Sequence, residues 1–114
     1  MDKWEAGGRM ASRSGHITVQ LIAELDEGHF ASYCPDLDVA SEGDTLQEAF
    51  ANLQEAIVLH LNALSEHREV WKELRQRGVV LRQTVAQEIK RETALRPGTY
   101  VTSFSTSVAQ YTSA

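Results

Sequence analysis

The strongest constraint on this chain is a change of apolar period at Gly43-Asp44-Thr45. Upstream, apolar residues alternate. In ITVQLIAEL, Ile17, Val19, Leu21, Ala23 and Leu25 share one parity, Thr18, Gln20 and Glu24 take the other, and Ile22 is the exception. Period two marks a half-buried strand. Downstream, Leu46, Phe50, Leu53, Ile57, Leu61 and Leu64 recur at three-to-four spacing, with Ala49 and Ala56 beside them. That stripe predicts a helix lying on one face of a sheet. Thr45-Leu46-Gln47-Glu48 fits a capping box at its start.

The remaining elements follow from the same cues. Asp26-Glu27-Gly28-His29 reads as a turn, and Phe30 to Cys34 as the second arm of a hairpin ended by Pro35. Val39 to Glu42 is a third strand. The helical pattern stretches to Gln76, but one helix of that length would span roughly 45 Å at about 1.5 Å per residue. A break near Ser65 to His67 and a second helix to Arg77, closed by Gly78, is therefore expected. Val79 to Leu81 reads as a short strand or buried turn, and Thr84 to Thr93 as a third helix. Arg96-Pro97-Gly98 is a breaker, and Thr99 to Val108 is a final strand. The expected fold is α+β: a small antiparallel sheet of three to four strands with helix on one face, in the order β-β-β-α-α plus a C-terminal strand. Residues 1–16 read as a flexible arm and 17–77 as the domain. Residues 78–114 read as an extension whose 99–108 strand lies at the sheet edge or pairs with another subunit.

Charge separates the chain into two halves. Residues 14–64 contain no Lys or Arg and nine acids: Glu24, Asp26, Glu27, Asp36, Asp38, Glu42, Asp44, Glu48 and Glu55. Residues 65–114 hold eight basic residues and five acids, a balance of +3, although the whole chain carries −5. The acidic half is unsuited to phosphate backbones and suited to a basic partner, with Asp36, Asp38, Glu42 and Asp44 as the candidate contacts. The basic stretch from Arg68 to Arg96 is interleaved with Glu69, Glu73, Glu88 and Glu92, as on ordinary exposed helices.

Cys34 is the only cysteine. A nucleophilic thiol needs a base or a neighbouring cation. Cys34 stands before proline among acids, and so reads as a core residue. Asp36, Asp38, Glu42 and Asp44 do not form a calcium loop, because the sixth position is Ser41 and the twelfth Gln47. His16, His29, His60 and His67 are scattered, and HExxH, GxSxG and a phosphate-cradling loop are all missing. No catalytic, metal or cofactor residue is expected, and the chain reads as a binding protein rather than an enzyme. A lone cysteine excludes an internal disulfide framework, which makes cytoplasm the expected compartment. Apolar runs are far shorter than a membrane span, so no membrane partner is expected.

The run from Ile17 to Leu64 resembles the HicB-like antitoxin family. The marks are the hairpin with a Gly-containing acidic turn, YCPDL at Tyr33 to Leu37, Gly-Asp-Thr at Gly43 to Thr45, and LQEAFANLQEAI at Leu46 to Ile57. The resemblance implies a truncated ribonuclease-H-like fold without nuclease activity. It implies a prokaryotic cytoplasmic protein that oligomerises as a dimer or tetramer. It also implies a partner, a small basic RNA-cleaving HicA-type toxin. Two departures stand out. Asp38-Val39-Ala40 replaces the Pro-Gly-Cys that many members carry after PDL, and residues 65–114 hold no recognisable helix-turn-helix or ribbon-helix-helix, so operator DNA is not an expected partner. The alternative expectation is an orphan oligomer of the same fold with a regulatory role, contacting nucleic acid through its basic half.

Overall fold

The computed structural model describes residues 11–66, 70–80 and 93–112. In chain order the elements are β1 (Ala11–Asp26), β2 (His29–Cys34), β3 (Val39–Gly43), α1 (Leu46–Glu66), α2 (Val70–Gln76), β4 (Thr93–Arg96) and β5 (Thr99–Thr112). The strands form one sheet in the order β3-β2-β1-β5-β4, with every neighbour antiparallel.

The hairpin forms for the expected reason. Asp26 pairs with His29 across a two-residue loop in which Glu27 (φ 50°) and Gly28 (φ 89°) both have positive φ, the type I′ geometry that matches strand twist. At the next bend the amides of Leu37 and Asp38 both bond to the Cys34 carbonyl, and Asp38 is left-handed at φ 57°. Leu37 is thereby driven into the core.

The core lies between the sheet and α1. Ile17, Val19, Leu21 and Ala23 of β1 face it with Cys34 and Val108, and α1 contributes Ala49, Phe50, Leu53, Ile57 and Leu61. Each large aliphatic side chain removed from water here contributes about 1.5–3 kcal/mol. Ile22 points to the opposite face, across from Tyr33 and Val101, so its break in the alternation is real. Val70 and Leu74 of α2 complete the core. The end of α2 is a Schellman motif. Gly78 (φ 74°) donates to the Arg75 carbonyl, Val79 donates to the Leu74 carbonyl, and Val79 packs on the core.

The start of α1 sets the sheet-to-helix geometry. The Thr45 hydroxyl accepts from the Glu48 amide at 3.1 Å, as a capping box requires. The Glu48 carboxylate reaches one residue further back than expected and accepts from the Asp44 amide at 2.8 Å. The buried Ser32 hydroxyl donates to the Ala49 carbonyl at 2.9 Å, tying β2 to the first turn.

Four expectations are corrected. The sheet has five strands, not three to four, because Thr93–Arg96 forms β4. All four residues of β4 are exposed, so it has no apolar alternation to reveal it and is held by its ladder to β5. Thr93, expected in a helix, is the first residue of that strand, and the rest of the expected helix, 84–92, lies outside the described residues. The C-terminal strand is not an edge strand. It lies between β1 and β4 and runs to Thr112, because Arg96-Pro97-Gly98 turns the chain back as a hairpin rather than ending it. Finally, β1 starts at Ala11 rather than Ile17. Residues 11–16 of the expected arm pair with Ser107–Thr112, and backbone bonds need no apolar pattern.

Among Gly28, Gly43, Gly78 and Gly98, Gly43 is the most closely packed. A Cβ there would lie 2.4 Å from the Ala49 amide nitrogen and 2.7 Å from the Glu48 carbonyl carbon, both backbone atoms. At Gly28 an added Cβ meets nothing within 4 Å, so only the positive φ opposes it. Gly43→Ala is expected to cost about 2–3 kcal/mol through forced backbone shifts, and Gly28→Ala about 1 kcal/mol. Urea unfolding midpoints of the two variants check the order.

Candidate functional site

The four candidate acids lie in or beside the short strand β3. Asp36 and Asp38 stand at the bend before it, Glu42 is its penultimate residue and Asp44 follows it at the corner. At the bend, the Asp36 carboxylate accepts the Gln20 amide of β1 at 2.9 Å, just where β2 has ended and left that amide without a ladder partner. Asp38 accepts the Tyr33 hydroxyl at 2.9 Å. That hydrogen bond, with Asp38's charge, pushes the phenol above its usual range. Both bend acids therefore also hold the structure together.

At the corner, the geometry is more open. Glu42 and Asp44 line one cleft with His29, Gly43, Glu48 and Asn52. The register places Phe30 opposite Gly43, which sets His29 beside the corner, and its Nε2 lies 3.7 Å from Glu42 Oε1. Asn52, two turns into α1, donates its side-chain amide to the Glu42 carbonyl at 2.8 Å. The cleft thus presents three carboxylates. Glu48 is held at the helix start, Glu42 lies beside His29, and Asp44 is exposed. Asp36 and Asp38 lie at the opposite end of β3 from this group. His29 and Asn52 were not singled out from the sequence. The hairpin register would have pointed to His29, whereas the approach of Asn52 depends on the helix inclination.

Cys34 is fully buried, and burial is the main cause that raises its thiol above the ordinary range. The backbone amide bond from Leu37 opposes this, and the charge of Asp36 adds to it. No base stands against it among its described polar neighbours. Among the described residues, no group of three or more His, Cys, Asp or Glu side chains is placed to hold a metal ion. No helix among them is long and apolar enough to cross a membrane.

A second surface lies on α2. Trp71, Lys72, Arg75 and Gln76 line a shallow depression, with the Arg75 guanidinium 5.9 Å from the exposed Trp71 ring. Arg77 is held by Glu73 one turn earlier, and this bond raises its pKa further.

A five-stranded antiparallel sheet with two helices, helix on one face and an acid-lined corner at the β3 end, defines a small α+β domain. The chain is 48% identical over 60 residues to the UPF0150 protein ssr1765 of Synechocystis sp., a match spanning 51% of this chain and 75% of that protein. It belongs to the UPF0150 family. No family model matches the chain, and no solved structure matches it.

Cys34→Ser is expected to cost about 1–3 kcal/mol, because a hydroxyl needs a partner that this apolar site does not offer. In the folded protein the thiol should react slowly with a maleimide at neutral pH, and quickly in denaturant. Its folded pKa is raised, so its contribution to stability is present below the unfolded thiol's range. That contribution is lost as pH rises through the folded one's. Unfolding midpoints of the wild type and Cys34→Ser across alkaline pH check the sign.

Proposed function

We propose that this chain is an antitoxin-like binding module of the HicB kind, which neutralises a small basic RNA-cleaving protein by direct contact and has no catalytic role of its own. The observation that carries this reading is the absence of any Lys or Arg from residues 14–64 against nine acids. Glu42, Asp44 and Glu48 add to it, since they converge on one cleft at the free edge of the sheet. A cationic ribonuclease surface is complementary to that cleft. Such pairing speeds encounter and selects the partner more than it deepens affinity. Membership of the UPF0150 family and the resemblance of residues 17–64 to HicB-like antitoxins support the same reading.

A second reading is a nucleic-acid contact on α2, favoured by the exposed Trp71 with Lys72 and Arg75 beside it. Stacking on an aromatic ring flanked by cations suits single strands. Charge reversal at Arg75 would then abolish a gel shift while leaving toxin capture intact.

Co-expression with a small basic HicA-type ribonuclease tests the main reading. Growth rescue and co-purification of a complex are expected, with affinity falling steeply between low and high salt. Glu42→Lys with Asp44→Lys should slow association about tenfold or more while the dissociation rate changes little. Rescue that is indifferent to both substitutions and to salt would count against the corner as the contact.

A further inference from the structure

β3 ends the sheet on one side, and among the described residues no strand lies beyond it. The direction of its peptide groups follows from the hairpin. Beside a two-residue type I′ loop the flanking residues exchange both backbone bonds, so Asp26 and His29 bond to each other. Successive residues of a strand turn their N–H and C=O groups to alternate sides. Ala31 and Tyr33 therefore also bond toward β1, while Phe30, Ser32 and Cys34 bond toward β3. Their partners there are Gly43, Ser41 and Val39. The peptide groups of Ala40 and Glu42 are left aimed away from the sheet.

A side-chain bond agrees with this assignment. Asn52 donates to the Glu42 carbonyl, as it can where that carbonyl lies outside the ladder to β2. The Ala40 N–H, the Ala40 carbonyl and the Glu42 N–H receive no bond from a described group, and both residues are exposed. The two faces of this edge differ. Ser32, opposite Ser41, reaches the Ala49 carbonyl of α1, so Ser41 and Val39 stand on the helix side, where Val39 packs on the core. Ala40 and Glu42 stand on the other side. A strand added here meets apolar surface at one parity and a carboxylate at the other.

Charge selects what the edge takes. Asp38 precedes the strand, Glu42 lies in it and Asp44 follows it. Arg77 comes near Asp38 but is already held by Glu73. An acidic strand, a second copy of β3 included, would set like charges beside one another, which opposes pairing. A basic strand finds the opposite charge along the whole edge.

We propose that the β3 edge takes up an extended segment of a basic partner as a further strand of the sheet, with Lys or Arg at alternate positions beside Glu42 and apolar residues between them beside Val39. Main-chain bonds to Ala40 and Glu42 hold the segment, and the alternation of its side chains selects it. This strand addition rests on the reading of the chain as a module that binds a basic protein, and it supplies the bonds that make the contact. The acids govern encounter, and the peptide groups of the edge govern release.

The test uses the full chain and two probes, a small basic HicA-type ribonuclease and a capped hexapeptide in which Lys and Val alternate. Each should slow amide exchange at Ala40 and Glu42, and a hexapeptide alternating Glu and Val should leave both amides as they are. Ala40→Pro removes one outward N–H and no bond to β2, at an edge position where proline is tolerated. It should weaken the ribonuclease complex about tenfold, through faster dissociation. Ala40→Ser keeps the N–H and should bind as the wild type does. A ribonuclease complex whose two amides exchange as in the free chain overturns the strand addition and leaves the antitoxin reading standing. So does a folded Ala40→Pro chain that releases the ribonuclease no faster. If the ribonuclease does not bind but the Lys-Val peptide slows both amides, the antitoxin reading falls and the strand addition holds for another basic segment. Slowing by neither probe overturns it. If Ala40→Pro does not fold, the two amides of the wild type decide.

Discussion

Where β3 ends, the chain passes so close to the first turn of α1 that Gly43 has no room for a side chain. This contact fixes the inclination of the helix, and most of the domain follows from that inclination. With the helix seated, the Ser32 hydroxyl reaches the Ala49 carbonyl and Asn52 reaches the Glu42 carbonyl. Phe50, Leu53, Ile57 and Leu61 then fall onto the β1 residues that fill the core. The same closeness gathers Glu42, Asp44 and Glu48 around one cleft, so the packing constraint and the acidic corner share a cause.

The acids of this half divide into two kinds. Those at the bend serve the fold: Asp36 stands in for the missing ladder partner of Gln20, and Asp38 anchors Tyr33. Those at the corner are less committed, with Asp44 exposed and Glu42 beside a histidine. A run that reads in the sequence as one uniform acidic stretch is thus two sites separated by the length of β3. The first protects an edge, and the second faces outward.

What was legible in the sequence was whatever periodicity and caps encode. The β1 core face from Ile17 to Ala23, the hairpin turn, the helix stripe, the Thr45 cap and the Gly78 terminus could all be read from residues within a few positions of one another. What stayed hidden depends on backbone pairing alone. β4 shows no alternation because neither face is buried, and residues 11–16 of β1 are held by the ladder to β5 whatever their side chains. The position of β5 in the sheet could not be read either, since a strand rich in Thr, Ser and Val suits an edge as well as an interior position. At the corner, the three carboxylates were visible as letters. Their convergence was not, because it requires the angle at which the helix leaves the sheet.

The sheet joins two kinds of pairing. β1, β2 and β3 are connected by tight turns, and α1 follows directly, so this half forms from local contacts. The other ladder of β1 reaches a strand far along the chain, with Thr18 bonding to Ser105 across 87 residues of sequence. Closing so long a loop carries an entropic cost that local contacts do not offset until the helix is seated. During synthesis, a meander of three strands and a helix emerges well before the strand that completes its centre. Until β5 arrives, β1 presents unpaired peptide groups on both sides over much of its length. The growing chain therefore passes through a stage with more open edge than the finished domain.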